Sequence, residues 1–238
     1  MESKNLEVFS EFYDALYLKM KRYEIEAKKV AELIREYEKK KSKTLLDVGC
    51  GTGEHLKYLS SDFQCTGIDI NSRMIKAAKK KVPHVDFKVA DMVDFNLEKK
   101  FDVIVSLFSS IGYVKTFQNL VKTLRNFHRH LNNEGLVMIE PWVFVKDFKE
   151  GSTYLDTYED EEVKFVRMSR SELTESRWLV FMHYLIGKNK EIKYYEEIHE
   201  MLSADYHNYI EGFKQAGFKN LRYLEDLWDN SRGIFLAT

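Results

Sequence analysis

The chain has 238 residues, 44% hydrophobic and 32% charged, with 37 basic residues against 38 acidic ones and a formal net charge of -1. That length suits one substantial α/β domain with an elaboration, and the balanced charge gives no basic field to recruit nucleic acid. No run approaches the roughly 20 apolar residues of a membrane span, and no amino-terminal apolar stretch resembles a secretion signal. A cytoplasmic protein without nucleic-acid or membrane partners is therefore expected.

Residues 1–42 read as a helical cap, with one or two Tyr- and Lys-rich helices from about Val8 to Tyr37. Residues 43–144 alternate strand and helix. Strands are expected at Thr44 to Val48, Cys65 to Ile70, through Phe87 and Val89 to Asp91, at Val103 to Val105 and at Leu136 to Ile139. Helices are expected from Glu54, from Ser72 to Lys81 and through Phe117, Leu120, Val121, Leu124, Phe127 and Leu131. The alternation predicts a doubly wound, Rossmann-like α/β fold with a mainly parallel sheet and ligands at the carboxyl ends of its strands. The basic runs Lys39-Lys40-Lys41 and Lys79-Lys80-Lys81 fall at helix ends, where solvated cations suit the helix dipole.

From residue 145 to 203 the rhythm becomes that of an antiparallel insertion. Strands are expected at Val163 to Arg170, Trp178 to Ile186 and Ile192 to His199, with a polar turn at Gly187-Lys188-Asn189. Residues 204–238 complete the sheet, with a helix from Ala204 to Ala216 stopped by Gly217 and strands at Phe218 to Leu224 and Ile234 to Ala237. Two cysteines, Cys50 and Cys65, can make neither a disulfide framework nor a zinc site alone. His128 and His130 lie on a helix without metal partners, so no metal site is expected.

The segment Asp47-Val48-Gly49-Cys50-Gly51-Thr52-Gly53-Glu54-His55 follows the first strand and opens a helix. Its glycines let backbone approach a ligand, and the helix N-H groups face the same space. A dinucleotide fingerprint would place a third small residue where Glu54 stands, and Asp47 and Glu54 both repel phosphate. The sulfonium and ammonium of S-adenosylmethionine are instead favoured beside carboxylates. Asp69, twenty residues beyond Gly49, stands where an acid accepts hydrogen bonds from ribose hydroxyls. Asp91 can accept from an adenine amino group while Met92 packs on the ring. Ile70, Met74 and Leu107 join the expected cofactor-binding set, as does His55 at the helix start.

With those residues, the chain resembles the class I S-adenosylmethionine-dependent methyltransferases. A closer likeness lies in Val105-Ser106-Leu107-Phe108-Ser109-Ser110-Ile111-Gly112-Tyr113, Glu140-Pro141-Trp142-Val143-Phe144, Ser231-Arg232-Gly233-Ile234-Phe235 and Phe12-Tyr13-Asp14-Ala15-Leu16-Tyr17. These segments resemble the nucleotide-linked amino-sugar N,N-dimethyltransferases, although that family usually has a second Trp where this chain has Val143. The resemblance implies that Tyr17, Tyr113 and Arg232 line a sugar-nucleotide pocket, that Tyr23 lies toward the methionine end of the cofactor, and that the protein is a homodimer.

Methyl transfer requires donor and acceptor to be held collinear, and an amine must be neutral to attack. Tyr17 and Tyr113 are the candidates to orient the acceptor. Glu140 either holds the amine or caps a turn, Trp142 contributes to the substrate wall, and Arg232 can clamp a diphosphate through its guanidinium fork. A glycine-like or other small-amine N-methyltransferase, and a non-catalytic adenosylmethionine-binding module, are the alternatives. The Ser106-Leu107-Phe108-Ser109 segment lacks the prolines of nucleic-acid amino-methyltransferases.

Overall fold

In a computed structural model, the described residues are 13–14, 16–174, 177–225, 227 and 232–238. Phe12, Ala15 and Ser231 of the segments above lie outside them, as does the helix start near Val8. A helical stretch at residues 16–20 precedes helix α1 (Tyr23–Tyr37). Helix α1 buries Ala27, Val30, Ala31, Leu33 and Ile34, spaced to give one apolar face against the sheet.

The central sheet is built from β1 (Thr44–Val48), β2 (Gln64–Asp69), β3 (Asp86–Val89), β4 (Phe101–Ser106), β5 (Leu131–Ile139), β10 (Leu221–Leu224) and β11 (Ile234–Ala237). Its order is β10-β11-β5-β4-β1-β2-β3. The first five strands run parallel, whereas β11 is antiparallel to β5 and β10 and closes the edge as a hairpin-like pair. Helices α2 (Glu54–Leu59), α3 (Ser72–Lys81), α4 (Phe117–His130) and α5 (Tyr206–Ala216) complete the layers. Leu45, Val103 and Val105 belong to one core and Leu46, Val48 and Ile104 to the other, so both faces of the central strands are covered.

The insertion is a four-stranded antiparallel sheet of β6 (Thr153–Glu159), β7 (Val163–Leu173), β8 (Trp178–Lys188) and β9 (Glu191–Met201). Strand β6 is not legible in the sequence; five of its seven residues are exposed and the other two half-buried, so it carries little apolar patterning. The turn between β8 and β9 is Asn189-Lys190, both at positive φ as a tight two-residue hairpin requires, and Gly187 lies within β8. Phe218 packs on Phe213 before β10 begins, which shortens that expected strand to four residues.

Lys81 corrects the expectation for its basic run. Its ammonium is ion-paired with Glu54 and lies 2.6 Å from Asp14, whose other carboxylate oxygen accepts the Thr52 hydroxyl. The C-terminus of α3 thus ties residue 14 of the cap to the start of α2. His130 is buried, with Nδ1 at 2.8 Å from the Asn126 carbonyl and Nε2 accepting from Leu97 N-H.

Candidate active site

The sheet order reverses between β1 and β4, and the loops leaving these two strands meet there. Gly49 sits at φ +78, where an added Cβ would lie 2.5 Å from the Ser110 Cβ. The Ser110 hydroxyl donates to the Gly49 carbonyl at 3.0 Å, and the N-H groups of Gly49 and Cys50 both donate to the Ile68 carbonyl. Gly49 therefore serves strand-end packing. Gly51 is the position left open to a ligand, since an added Cβ there meets nothing within 4 Å. Gly53 packs against Phe87 and Ala78, and Cys50 and the Thr52 side chain are buried.

The Gly51 N-H donates to Asp69 at 2.9 Å and the Asn71 N-H to its other oxygen at 2.8 Å. Burial raises the Asp69 carboxyl above its ordinary value despite these two bonds. Asp47 is 2% exposed, and desolvation, reinforced by the Asp69 charge, pushes its carboxyl up to about 8. Asp69, Ile70, Met74, Asp91 and Met92 all line a cavity of 1890 Å³ with Gly49 and Gly51. Asp91 is held by the Val93 N-H at 2.9 Å.

A narrower recess adjoins it, lined by Tyr23, Asp47, Cys50, Thr52, His55, Leu107 and Phe108 among others. His55 is fixed there by Glu26 at 2.9 Å and stands edge-on to Tyr23. Glu26 also pairs with Lys21 at 2.9 Å; burial would raise its carboxyl, but His55 and Lys21 together hold it below the usual value.

The opposite wall is built on a strained turn. Phe108 and Ser109 adopt φ of 51° and 58°, a left-handed conformation that costs non-glycine residues about 1–2 kcal/mol each. Glu140 holds this turn by accepting the Phe108 N-H at 2.7 Å, while the Ser109 hydroxyl donates to the Pro141 carbonyl. Arg232 donates to the Ser109 hydroxyl at 2.8 Å and lies 3.6 Å from Glu140. Glu140 is 2% exposed, its carboxyl raised by burial, and it is not among the residues lining the large cavity. Of the two roles considered for Glu140, the structure shows a buried support beneath the turn, because one oxygen is engaged by backbone and the other faces Arg232. Arg232 and Trp142 do line the cavity, with the guanidinium carbon 5.9 Å from the indole centroid.

Tyr17 and Tyr113 both line this cavity. The Tyr17 hydroxyl accepts from Arg167 at 2.7 Å, Arg167 is locked by two hydrogen bonds to Asp156, and the Tyr17 ring stands edge-on to Phe108. The Tyr113 hydroxyl lies 3.0 Å from His199 Nδ1. Sequence reasoning missed Arg167, Glu197 and His199. The available signal was period-two patterning: Arg167 follows Val163 and Phe165 on the inward face of β7, a polar residue where the apolar alternation calls for burial.

An open glycine at a strand end, an acid at the end of the next strand and a second acid beyond it form a cradle that fits the adenosyl group. Consistent with this, residues 45–135 match the methyltransferase domain family. Over 231 residues the chain is 32% identical to the dTDP-3-amino-3,4,6-trideoxy-alpha-D-glucopyranose N,N-dimethyltransferase of Streptomyces venezuelae, covering 96% of each protein. Among solved structures, DesVI of Streptomyces venezuelae superposes with a TM-score of 0.88 at 30% identity, over 100% of this chain and 99% of that one. CalS10, an amino pentose methyltransferase of Micromonospora echinaspora with S-adenosylmethionine bound, does so with a TM-score of 0.85 at 28% identity, over 97% and 96%. The chain belongs to the class I S-adenosylmethionine-dependent methyltransferases, and within them to the group of amino-sugar N,N-dimethyltransferases. It is an enzyme whose cofactor is S-adenosylmethionine.

Proposed function

We propose that this enzyme methylates the amino group of a nucleotide-linked deoxysugar. The observation that carries the reading is the cavity: at 1890 Å³ and running continuously from Asp69 to Arg232, it exceeds the roughly 300–1,000 Å³ of an ordinary small-ligand site. A cofactor with glycine would leave much of that space unfilled, whereas a sugar nucleotide would occupy it. Arg232, beside Trp142, offers a guanidinium for a diphosphate.

In this reading Gly51, Asp69, Ile70, Met74, Asp91 and Met92 hold the adenosine, with Asp69 taking ribose hydroxyls. Tyr23, Asp47, His55 and Leu107 surround the methionine end. The bound cofactor supplies an electrophilic methyl group, whose bond to nitrogen forms as its bond to sulfur breaks. Tyr17, pinned by Arg167, and Tyr113 orient the acceptor amine along that line. Thermal-shift titration in the presence of the demethylated cofactor tests the acceptor class: thymidine- or uridine-diphosphate amino sugars should stabilise the protein, and a response confined to glycine or simple amines would overturn it.

A homodimer accompanies this reading. The outer face of the antiparallel sheet carries Leu155, Met168, Leu185, Tyr194 and Ile198, each about half exposed or more, with Leu155 opposite Met168 and Leu185 opposite Tyr194. A contiguous apolar face of this kind suits a second copy. Sedimentation should give a dimer that Leu185→Glu dissociates; a monomeric wild type would refute it. No helix among the described residues is long and apolar enough to cross a membrane; a cytoplasmic enzyme without a nucleic-acid partner accompanies this reading, supported by the balanced charge of the chain.

A further inference from the structure

The acceptor nitrogen presents a proton problem that the residues so far described leave unsolved. An alkylamine is largely protonated near neutral pH, and each methylation leaves the nitrogen carrying one proton more than a second attack allows. Tyr113 is placed to meet the amine, with 48% of its surface open and its ring on the cavity wall. Its phenol is nevertheless held above its ordinary value by burial among protein atoms and by the neighbouring Tyr17 and Glu197. A phenol kept neutral is no base by itself. It can take a proton only while passing its own to a second acceptor.

That acceptor is on β9. His199 Nδ1 lies 3.0 Å from the Tyr113 hydroxyl, and His199 Nε2 lies 3.2 Å from Glu197 Oε2. A carboxylate only accepts, so Glu197 fixes the neutral imidazole with its proton on Nε2 and its lone pair on Nδ1, toward Tyr113. Glu197 is itself 7% exposed, and the Tyr184 hydroxyl donates to the same oxygen at 3.2 Å. Its other oxygen, Oε1, is buried without a hydrogen-bond partner among the described residues, so the carboxylate gains from a cation forming beside it. Hydroxyl, imidazole and carboxylate thus stand in the order of a proton-accepting triad.

We propose that Tyr113, His199 and Glu197 form a relay that removes the acceptor's proton, a role that rests on the amine-methylating reading above. The ammonium proton moves to the Tyr113 oxygen as the Tyr113 proton moves to His199 Nδ1. The products are a neutral amine, an intact phenol and an imidazolium against Glu197. His199 lines the cavity and returns its proton to water there, which resets the chain for the next methyl group. Tyr113 is the catalytic residue; His199 and Glu197 act through it. The charged and titratable groups around the relay are Tyr113 from the turn after β4, Glu197 on β9, Tyr184 on β8, Arg167 on β7, Asp69 at the end of β2, and Tyr13 and Tyr17 from the cap. Beyond it, Glu200 on β9 is paired with Arg177 and Lys115.

Two measurements test the relay. Nitrogen-15 NMR of histidine-labelled ligand-free enzyme should show His199 as the Nε2-H tautomer near neutral pH, with its Nδ1 resonance displaced in Tyr113→Phe; an Nδ1-H tautomer overturns the relay whatever the acceptor. Single-turnover methylation of dTDP-3-amino-3,6-dideoxyglucose from pH 6.5 to 9.5 is the second. His199→Gln should lose about 100-fold at pH 7 with the acceptor KM within about threefold, and recover most of the loss as pH rises toward the pKa of the amine. Glu197→Gln should follow the same profile less steeply. A His199→Gln profile parallel to wild type, or a loss entirely in KM, overturns the relay. Failure of wild type on every nucleotide-linked amino sugar instead overturns the acceptor reading, while the NMR result still decides the relay.

Discussion

Replacing Asp47 by Asn should stabilise the ligand-free enzyme at alkaline pH and weaken its hold on the cofactor. The Asp47 carboxyl is buried beside Asp69 at the end of β1 and titrates at about 8, against 3.8 for the ordinary group. Because the folded state holds this proton more tightly than the unfolded chain, it binds more protons between about pH 4 and 8, and stability falls as pH rises through that window. Each pH step inside it is worth about 1.4 kcal/mol, so full ionisation costs on the order of 5 kcal/mol, an upper bound because Asp47 borders a recess that admits water. Asparagine keeps the shape and removes the titration. The stability difference between Asp47→Asn and wild type, from urea unfolding without ligand, should be small at pH 5, widen by about 1 kcal/mol per pH step and level off above pH 8. Cofactor binding should reverse the effect, since a sulfonium and an ammonium favour the ionised carboxylate. Calorimetry at pH 7 in buffers of different ionisation enthalpy should then show about one proton released by wild type on binding S-adenosylmethionine, and far less by Asp47→Asn. Parallel stability curves, together with equal proton release, would refute the assignment of Asp47 to the methionine end.

The glycine turn separates into two roles. Gly49→Ala should destabilise the fold by about 2–5 kcal/mol in chemical denaturation, through positive φ and overlap with Ser110, whereas Gly51→Ala, at φ +53 but with nothing within 4 Å of the added Cβ, should cost only the backbone strain of about 1–2 kcal/mol and lose cofactor affinity by calorimetry. Asp69→Ala should lose cofactor affinity about tenfold or more, because it leaves ribose hydroxyls and the Gly51 N-H without their acceptor; unchanged binding would remove Asp69 from the site. Arg232→Ala should raise the acceptor KM more than it lowers kcat, the signature of lost uniform binding, and an equal fall in kcat and kcat/KM would move Arg232 into the transition-state contacts.

The cofactor half was legible because its signals are local. Strand β1, the Gly49 to Gly53 turn, helix α3 and the acid at position 69 follow from short-range patterns of apolar runs, glycines and caps, and α3 begins behind an Asn71 cap that accepts from Arg73 and Met74 N-H. The cavity wall formed by the antiparallel sheet was less legible because it depends on strand register. Arg167 reaches Tyr17 across 150 residues of chain, and His199 reaches Tyr113 across 86. Lys81 read as a solvated helix end because its partners, Asp14 and Glu54, lie 67 and 27 residues away. Glu140 was ambiguous for a related reason: an acid at a strand end can face a ligand or support a turn, and the bond it accepts from the Phe108 N-H joins residues 32 apart in the chain.

Mass spectrometry of the acceptor after incubation with enzyme and S-adenosylmethionine shows which amine takes the methyl group. A thymidine-diphosphate-linked amino sugar should give a monomethyl product that gives way to a dimethyl product, both formed faster than any methylated glycine. Methylation of glycine or a free amine in preference to every nucleotide-linked amino sugar would contradict it.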